Sequence, residues 1–539
     1  MDVTHEINKP KEEEKPADFE TAISEAGFGT FHLLLMLLAF PATCATVFES
    51  STMSYILPVA ECDLKLTLID KGILNAVTYA GMIISAIVWG YLSDTQGRKK
   101  ILVYGYLMDS VCVLGSSLSQ SFEMLVAFKF LGGFCVNGPS AVLFTYLTEL
   151  HSFKQRARVM MILGSIMSMA TLIIPLMAWA IFPRDWDFKL FDQFNVHSWQ
   201  IFLLVSALPS FLSGIAFTML PESPKFLMSQ GRNQEALTVF QKIYAFNKRK
   251  PRSTYPIHKL MEEVPDRDGN IHEAVYTINS KTQKNGKVKR APRSFTEALH
   301  EGMQQFRPMF RKPILGHSIH VYVMQFCILL SLNTIRLWLP QLFASIAEYE
   351  ALETSAKGSS NLCTILEFSI NKTATAIMQD EVKCETLKNV SVNMYTNNII
   401  VALAGMVGYL FAGMIVRALG AKRMLTLSLI ISASCGVGLY WSTSGLTTLI
   451  ISSIFVTLGS ISTSSLLGVV VNIFPTSLKT LIVAISMMFG RLGGLSGNML
   501  FPVFIQMGCI PPFLMVGLVM FCAAALSFIL PSGKKSTFT

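Results

Sequence analysis

The chain has 539 residues, of which 51% are hydrophobic and 15% are charged, with a mean hydropathy of +0.47 and a formal net charge of +9. Ordinary soluble domains carry about 25% charged residues, so the composition excludes a soluble globular protein and indicates a membrane protein. The apolar runs are long and continuous, which favours membrane-spanning helices over a closed barrel.

A polar segment, residues 1–28, precedes the first apolar run. It contains no short basic stretch leading into a cleavable apolar one. This pattern predicts no secretory signal peptide, so we expect residues 1–28 to form a cytosolic tail.

Twelve apolar runs follow, each of the length that crosses about 30 Å of hydrocarbon as a helix. They predict an all-α membrane protein with two six-helix bundles, at 29–220 and 314–530, joined by a linker at 221–313 and followed by a tail at 531–539. The predicted helices are 29–59, 70–93, 100–118, 121–148, 158–182, 199–220, 314–345, 395–418, 423–442, 446–472, 480–506 and 511–530.

The short loops indicate the orientation. Bases are concentrated on one side, in GRKK (97–100), KQRAR (154–158), RALGAKR (417–423), Lys479 and the carboxy-terminal GKK (533–535), whereas the short loops of the other side are mixed or acidic. Because basic loops stay in the cytosol, both termini and the linker are predicted to be cytosolic.

The loop at 346–394 is then predicted to face away from the cytosol. It contains the two N-x-[ST] sequences of the chain, at Asn371 and Asn389, which we interpret as glycosylation sites. It also contains Cys363 and Cys384, which we expect to form a disulfide in that oxidising compartment. Most of the other cysteines lie in apolar spans as small packing residues.

The linker at 221–313 carries 18 lysines and arginines against 9 acids, an excess equal to the net charge of the whole chain. Two interpretations are open. The basic stretches 247–252 and 284–290 suit contact with anionic lipid headgroups. A disordered linker with the usual cytosolic bias towards bases is the favoured interpretation, and nucleic-acid binding does not suit a twelve-span chain.

An internal repeat relates the two bundles. The motif GYLSDTQGRKK, from Gly90 to Lys100, matches GMIVRALGAKR at an offset of 323 residues, where Asp94 is replaced by Arg417. At the same offset, Glu149 and Arg156 match Asn472 and Lys479. Two matches at one offset indicate duplicated bundles.

The first motif resembles the signature between helices two and three of the major facilitator superfamily. The resemblance implies that these residues form a gate, which locks one bundle against the other on the cytosolic side. The gate residues that it implies are Gly90, Asp94, Gly97, Arg98, Lys99, Lys100, Glu149, Arg156, Arg417 and Lys479.

Within that superfamily the chain is most similar to the synaptic vesicle glycoprotein 2 group, through SYILPVAECDL (54–64), MAWAIFP (177–183), HSWQIFLLV (197–205) and PESPKFL (221–227). The last stretch and YLTEL (146–150) also resemble the sugar and organic-ion transporter branches. The loop at 346–394 is too short for the large luminal domain of the vesicle glycoproteins. The missing acids at Arg417 and Asn472 imply that the second gate closes differently or less firmly.

Ionisable groups inside apolar spans are costly and therefore functional candidates. On the first predicted helix, Glu49 matches an acid of the vesicle glycoprotein group and is a candidate for substrate binding or proton coupling, with a structural ion pair as the alternative. Lys129 has the same two interpretations. For Asp109, on a helix that is peripheral in this superfamily, packing or an ion pair is favoured.

Two arginines lie on predicted cavity-lining helices. Arg336 is a substrate candidate, although snorkelling to the outer membrane interface is favoured. Arg491 resembles a cationic position of organic-ion transporters and would favour an anion.

Trp179 and Trp338 suit stacking on an organic ring, but packing or interface anchoring is the commoner role of such residues. Four nearby glycines of the eleventh predicted helix fit close helix packing: Gly490, Gly493, Gly494 and Gly497.

No enzymatic constellation is evident. The chain has no phosphate-binding GxxxxGK[ST] loop, and HSIH (317–320), without a companion acid or cysteine cluster, is a weak metal motif. We predict no cofactor, no catalytic residue and no metal. The favoured function is secondary active or facilitative transport of a small organic solute by alternating access, with protons as the candidate coupling ion if transport is coupled. The alternative is a non-transporting vesicle membrane protein that regulates trafficking or exocytosis.

Overall fold

The computed structural model describes residues 16–261, 264–265, 271–272, 314–352, 362–368, 392–474 and 476–531, apart from residues 185, 187 and 191–193. The predicted glycosylation sites Asn371 and Asn389, and Cys384, lie outside these ranges.

The amino-terminal half contains a short helix followed by the first six predicted spans. The helices are α1 (Phe19–Ala26), α2 (Thr30–Ala60), α3 (Leu68–Gln96), α4 (Arg98–Ser117), α5 (Phe122–Glu149), α6 (Phe153–Ile181), α7 (Ser198–Ser206) and α8 (Leu208–Met219). The sixth predicted span is thus interrupted at Ala207, immediately before Leu208 and Pro209. A two-stranded antiparallel hairpin, β1 (Phe188–Leu190) and β2 (Phe194–Val196), precedes α7.

The start of the linker is folded, in contrast to the favoured interpretation as a disordered segment. It forms α9 (Pro224–Ser229), α10 (Asn233–Lys248), a 3-10 turn (Arg252–Thr254) and a second hairpin, β3 (Val264–Pro265) with β4 (Ile271–His272). The apolar face of α10 includes the fully buried Phe240 and Ile243. This amphipathic face packs against α1 and α2, which is why residues 224–248 hold a helical structure.

The carboxy-terminal half contains the other six predicted spans and one short helix. They are α11 (Ile314–Leu352), α12 (362–368), α13 (Val392–Leu419), α14 (Ala421–Gly438), α15 (Gly445–Ile473), α16 (Thr476–Gln506) and α17 (Ile510–Ile529), with a 3-10 turn (Leu439–Trp441) after α14.

Helices occur at all twelve predicted positions, and at eleven of these positions, with α7 and α8 counted as one span, the described helices are long and apolar enough to cross a membrane. The remaining one is α4. It begins with Arg98, Lys99 and Lys100 and contains Asp109, which lowers its hydropathy although its 20 residues match the length of a span.

Several starts of helices are fixed by side-chain caps. The hydroxyls of Thr67, Ser121 and Ser444 accept hydrogen bonds from backbone N–H groups three residues later, at 3.2 to 3.3 Å. Such caps satisfy N–H groups that the helix itself leaves unpaired. They hold α3, α5 and α15 at defined starting points on the turns between spans.

The bundle has two ends. We call the end with the turn between α2 and α3 (61–67) the loop side, and the end with the turn at Gly97 the linker side. On the loop side the two halves touch: the Asn75 amide donates to the carbonyl of Leu337 at 3.4 Å, and the rings of Phe182 and Tyr395 lie 5.8 Å apart.

Two glycines near the linker side have open surroundings. A Cβ atom added at Gly90 or at Gly413, near the ends of α3 and α13, would meet no atom within 4 Å. On the loop side, by contrast, a Cβ atom added at Gly72 would lie 2.7 Å from the Pro502 ring of the other half. The described contacts therefore join the two halves on the loop side.

The predicted Cys363–Cys384 disulfide is wrong. Cys363 is bonded to Cys509, with the two Cα atoms 5.3 Å apart. Cys509 belongs to the turn between α16 and α17, which agrees with its position between the predicted spans 480–506 and 511–530. A second contact fixes the start of α12: the backbone N–H of Leu362 donates at 3.0 Å to the carbonyl of Ser442, which follows the 3-10 turn after α14.

Candidate functional site

Buried polar atoms without a described hydrogen-bond partner are concentrated on α2, α3, α11 and α16. Of the sixteen such atoms in the described ranges, eleven lie on these helices: Glu49 Oε1, Thr52 Oγ1, Asn75 Oδ1, Tyr79 Oη, Ser318 Oγ, Gln325 Oε1, Arg336 Nε, Trp338 Nε1, Gln341 Oε1, Ser486 Oγ and Asn498 Oδ1. Buried polar groups are normally hydrogen-bonded, so such a concentration needs an explanation. These helices supply one surface from each half, which makes the space between the halves the candidate solute site.

The best-defined part of this site joins α3 to α11 and α16. A Cβ atom added at Gly494 would lie 2.9 Å from the Asn333 amide nitrogen and 3.6 Å from the Tyr79 ring. Arg491, one helical turn before Gly494, lies within electrostatic reach of Tyr79. The Tyr79 phenol and the Asn333 carboxamide are thus neighbours between the halves, with the Arg491 guanidinium within electrostatic reach.

Arg336 occupies a comparable position. It is half-buried and within electrostatic reach of Tyr55 on α2 and Tyr409 on α13. Its electrostatic interaction with helices of both halves favours a position facing the central space over the outer membrane interface, where snorkelling would put it. Within the described ranges, neither Arg336 nor Arg491 has a carboxylate within ion-pair distance.

Glu49 and Lys129 form an ion pair inside the amino-terminal half. The ammonium donates to Glu49 Oε2 at 2.8 Å, and both side chains are almost completely buried. Glu49 Oε1 has no described partner and lies against Gly132, where any side chain would collide with it. The pair therefore lies between α2 and α5 and not in the space between the halves.

Asp109 is buried close to this pair, within electrostatic reach of both Glu49 and Lys129. The Ser210 hydroxyl donates to its Oδ2 at 2.5 Å, while Oδ1 has no described partner. Two carboxyl groups therefore share the neighbourhood of one ammonium.

The two tryptophan candidates differ in their exposure. Trp338 is 1% exposed and packs on the Phe501 ring at 5.0 Å, so it belongs to the core of the carboxy-terminal half. Trp179 is 49% exposed on α6. On α16, a Cβ atom added at Gly493 would collide with the Phe326 carbonyl of α11, which shows the close helix packing predicted for these glycines.

The first gate motif is built around Arg98. Its Nε lies 3.3 Å from Glu149 Oε2, an ion-pair distance, and its Nη1 donates to the Ser93 carbonyl at 2.9 Å. Glu222 Oε1 accepts from the backbone N–H groups of Arg98 and Lys99 at 2.9 and 3.0 Å. The carboxylate thereby caps the start of α4, where the helix dipole favours a negative charge.

Two predicted gate residues have other roles. Asp94 has a side chain that is 73% exposed and lies 3.9 Å from Arg98, at the edge of the network. Arg156 pairs with Glu20 of α1 and donates to the Thr148 carbonyl at 3.0 Å, so its described ion pair is with the amino-terminal helix.

The second gate motif repeats the backbone of the first. Gly420 has φ +80° and Gly97 has φ +93°, a region that favours glycine, and the two are 323 residues apart. Here, however, Lys422 donates to the carbonyl of Phe528 at 3.2 Å and to that of Leu530. The side chains of Arg417 and Asn472 lie outside the description, and Lys479 is half-buried.

A family model decides the classification. Residues 39–368, more than half of the chain, match the family model described as "Major Facilitator Superfamily". The chain belongs to the Major Facilitator Superfamily.

This superfamily member is similar to synaptic vesicle glycoprotein 2B of Mus musculus, with 32% identity over 239 residues, and to synaptic vesicle glycoprotein 2C of Homo sapiens, with 31% identity over 253 residues. The matches cover 44% and 46% of this chain but 35% of each relative. The chain thus matches about a third of the length of these relatives.

Among solved structures, the fold is similar to that of a D-xylose-proton symporter, with a TM-score of 0.62 and 14% identity over 94% of this chain and 99% of that chain. It is also similar to the partially occluded inward open conformation of the xylose transporter XylE from E. coli, with a TM-score of 0.61 over 93% of this chain and 100% of that chain. At this identity the likeness shows the fold, two bundles of six spans.

Some site residues of this superfamily member escaped the sequence analysis. Tyr79 and Asn333 carry no charge, and in an apolar span such residues are indistinguishable from packing residues. Glu222 and Ser223 were quoted only as part of a family resemblance, yet the Ser223 hydroxyl donates to Glu149 at 2.5 Å. The position of Glu222, directly after a predicted span and on the same side as the basic loops, was the feature of the sequence that could have indicated its role.

Proposed function

We propose that this superfamily member is a secondary transporter that moves a small, negatively charged organic solute by alternating access. The observation that carries the proposal is the position of Arg336 and Arg491 between the halves, each without a described carboxylate partner. A buried cation normally has a counter-ion. An anionic solute would supply it, with Tyr79 and Asn333 as hydrogen-bonding groups.

The described contacts support a mechanism in which the halves rock about this central site. They close the loop side, so the solute exchanges with the linker side in this conformation. Closing the linker side requires the motifs around Arg98 and Lys422 to approach the opposite half. The Arg98 network is complete within its own half, which suits a rigid gate surface.

If transport is coupled to protons, we propose that Glu49 is the residue that takes up the proton. Protonation of Glu49 would remove the charge that holds Lys129, and the unpartnered Oε1 is the available acceptor for the proton. Loss of the ion pair would loosen α2 against α5 and thereby link the protonation state to the position of a helix that lines the solute site.

The linker side is proposed to face the cytosol, which places both termini there, in a plasma or vesicle membrane. The basic loops support this orientation. The alternative of a non-transporting regulator of trafficking finds less support, because the polar groups between the halves have no evident use in it.

A solute panel tests the proposal. Organic anions, organic cations and neutral sugars are added separately to the purified protein, and thermal unfolding is followed, because a ligand of the native state raises apparent stability. We expect stabilisation by members of the anionic set, and its loss in the Arg336→Gln, Arg491→Gln double variant. Stabilisation by neutral sugars that persists in the double variant would contradict an anion site. Uptake of the stabilising anion into proteoliposomes then separates transport from binding alone.

A further inference from the structure

A cleft of about 650 Å³ opens on the linker side, apart from the space between the halves. Its walls are the linker-side ends of α4 and α8, the segment at Pro221 and Glu222, and the polar face of α10. The volume lies in the range of about 300–1,000 Å³ that is usual for sites of small organic ligands. The cleft belongs to one half, so rocking of the halves does not create it.

Three ammonium groups line this cleft, those of Lys99, Lys100 and Lys242. Within the described ranges, none of them has a hydrogen bond or an ion pair, and Lys100 and Lys242 are exposed. The two acids of the lining are already engaged. Glu222 binds the backbone at the start of α4, and Glu235 accepts from Arg232 Nε at 2.8 Å.

The cleft also borders the surface that faces lipid. Tyr104 is 62% exposed and forms part of the cleft wall on α4. On α8, Met219 is 82% exposed and directly follows the lining residue Thr218. Large apolar side chains at the end of spanning helices mark the boundary between acyl chains and headgroups. The three lysines therefore lie at the depth of the headgroups.

We infer that this cleft binds a phospholipid whose headgroup carries a phosphate monoester. Basic pockets on the cytosolic side of transmembrane proteins are suited to phosphorylated headgroups. A phosphate monoester carries about −1.5 to −2 charges at pH 7, so it matches three ammonium groups better than a singly charged headgroup does. The acyl chains extend along Tyr104 and Met219, and the headgroup oxygens accept from the lysines. The inference is independent of the transported solute.

Binding is measured by thermal unfolding of the full-length protein in neutral detergent. The probes are dioctanoyl phosphatidylinositol 4-phosphate, dioctanoyl phosphatidylinositol and the water-soluble inositol 1,4-bisphosphate. We expect stabilisation by the first, little by the second, and little by the third, because it lacks the acyl chains. The Lys100→Gln, Lys242→Gln double variant should bind the phosphorylated lipid roughly 30-fold more weakly, the factor that corresponds to about 1 kcal/mol for each lysine.

The matched control is Lys154→Gln, Lys250→Gln, which removes the same charge from two exposed positions outside the cleft. It should retain the affinity of the native protein. Equal losses in both double variants would indicate general surface charge and overturn the site. Equal stabilisation by inositol 1,4-bisphosphate would overturn the lipid source in favour of a soluble phosphate. Because Lys100 belongs to the gate motif, Lys242→Gln alone, on the exposed face of α10, serves if the double variant does not fold.

Discussion

In the amino-terminal half, buried charges meet opposite charges, as in Glu49 with Lys129 and Glu149 with Arg98. In the described part of the carboxy-terminal half, the buried polar contacts are made by hydroxyl, amide and carbonyl groups. Examples are Ser428 with Ser462 at 2.8 Å and Ser331, which donates to the Val516 carbonyl at 3.0 Å. The two halves share one helical plan and differ in the chemistry that holds it together.

The difference has energetic consequences. Removing one partner of a buried ion pair typically costs about 3–5 kcal/mol, because it leaves an uncompensated charge. Side-chain hydrogen bonds between spanning helices contribute about 0.6 kcal/mol on average. The amino-terminal half is therefore sensitive to single substitutions of its charges. The carboxy-terminal half contains Arg336 and Arg491, which the proposed function assigns to the solute site.

The largest expected effect comes from Lys129→Met, which leaves Glu49 buried without its counter-ion. We expect a loss of about 3–5 kcal/mol of stability at neutral pH, visible as a lower unfolding temperature and a lower membrane yield. The control is the double variant Glu49→Gln, Lys129→Met, which removes both charges and should recover most of the loss. A double variant as unstable as the single one would show that packing around Lys129, and not its charge, is what matters.

The gate motifs provide a second test. Arg98→Ala removes an ion pair and a charged hydrogen bond and should cost about 2–3 kcal/mol. Lys422→Ala should cost about 0.3–1 kcal/mol, the usual contribution of a cation at the end of a helix. Asp94→Asn, at an exposed side chain, should cost less than either. Thermal unfolding of the three variants gives the order directly, and equal losses for Arg98 and Lys422 would remove the asymmetry between the motifs.

A third test concerns His151, which lies between α5 and α6 and has no exposed surface. Burial lowers the pKa of His151 to about 4, and the nearby His32 and Arg156 act in the same direction. The unfolded chain takes up a proton near pH 6.5, so stability is full above that value and is lost as the pH falls towards 4. The loss should reach about 2 kcal/mol at pH 4.5.

The matched variant for this pH dependence is His151→Gln, which keeps a donor near the Leu147 carbonyl and cannot titrate. Its unfolding free energy, measured between pH 7 and pH 4.5, should fall by about 2 kcal/mol less than that of the native protein. Identical pH profiles would assign the acid sensitivity to other groups.

The sequence predicted the fold well because span length and loop charge are local properties. The repeat at Gly97 and Gly420 was equally readable, since both positions need a positive φ. The Cys363–Cys509 disulfide and the Tyr79–Asn333 contact depend on which helices become neighbours, which one sequence does not specify. The pairing of Arg156 with Glu20 escaped prediction for the same reason, because α1 was treated as part of a tail. The amphipathic pattern of α10 was present in the sequence, but the basic composition of the linker favoured the interpretation as a disordered segment.

The smallest expected effect concerns a hydroxyl pair of the carboxy-terminal half, Ser428 and Ser462. Their hydroxyls lie 2.8 Å apart between α14 and α15, and each also lies 2.8 Å from a carbonyl of its own helix. Because each hydroxyl has one proton, one serine donates to the other hydroxyl and the second donates to its own-helix carbonyl. Removing one hydroxyl by Ser428→Ala or Ser462→Ala leaves the other with its own-helix carbonyl, so neither variant creates an unsatisfied group. We expect a coupling energy of about 0.6 kcal/mol from the double-mutant cycle, measured by thermal unfolding. The same cycle on Glu49 and Lys129 should give several times that coupling energy. A coupling energy above about 2 kcal/mol for the serine pair would mean that polar contacts stabilise the inside of each half equally strongly, despite their different chemistry.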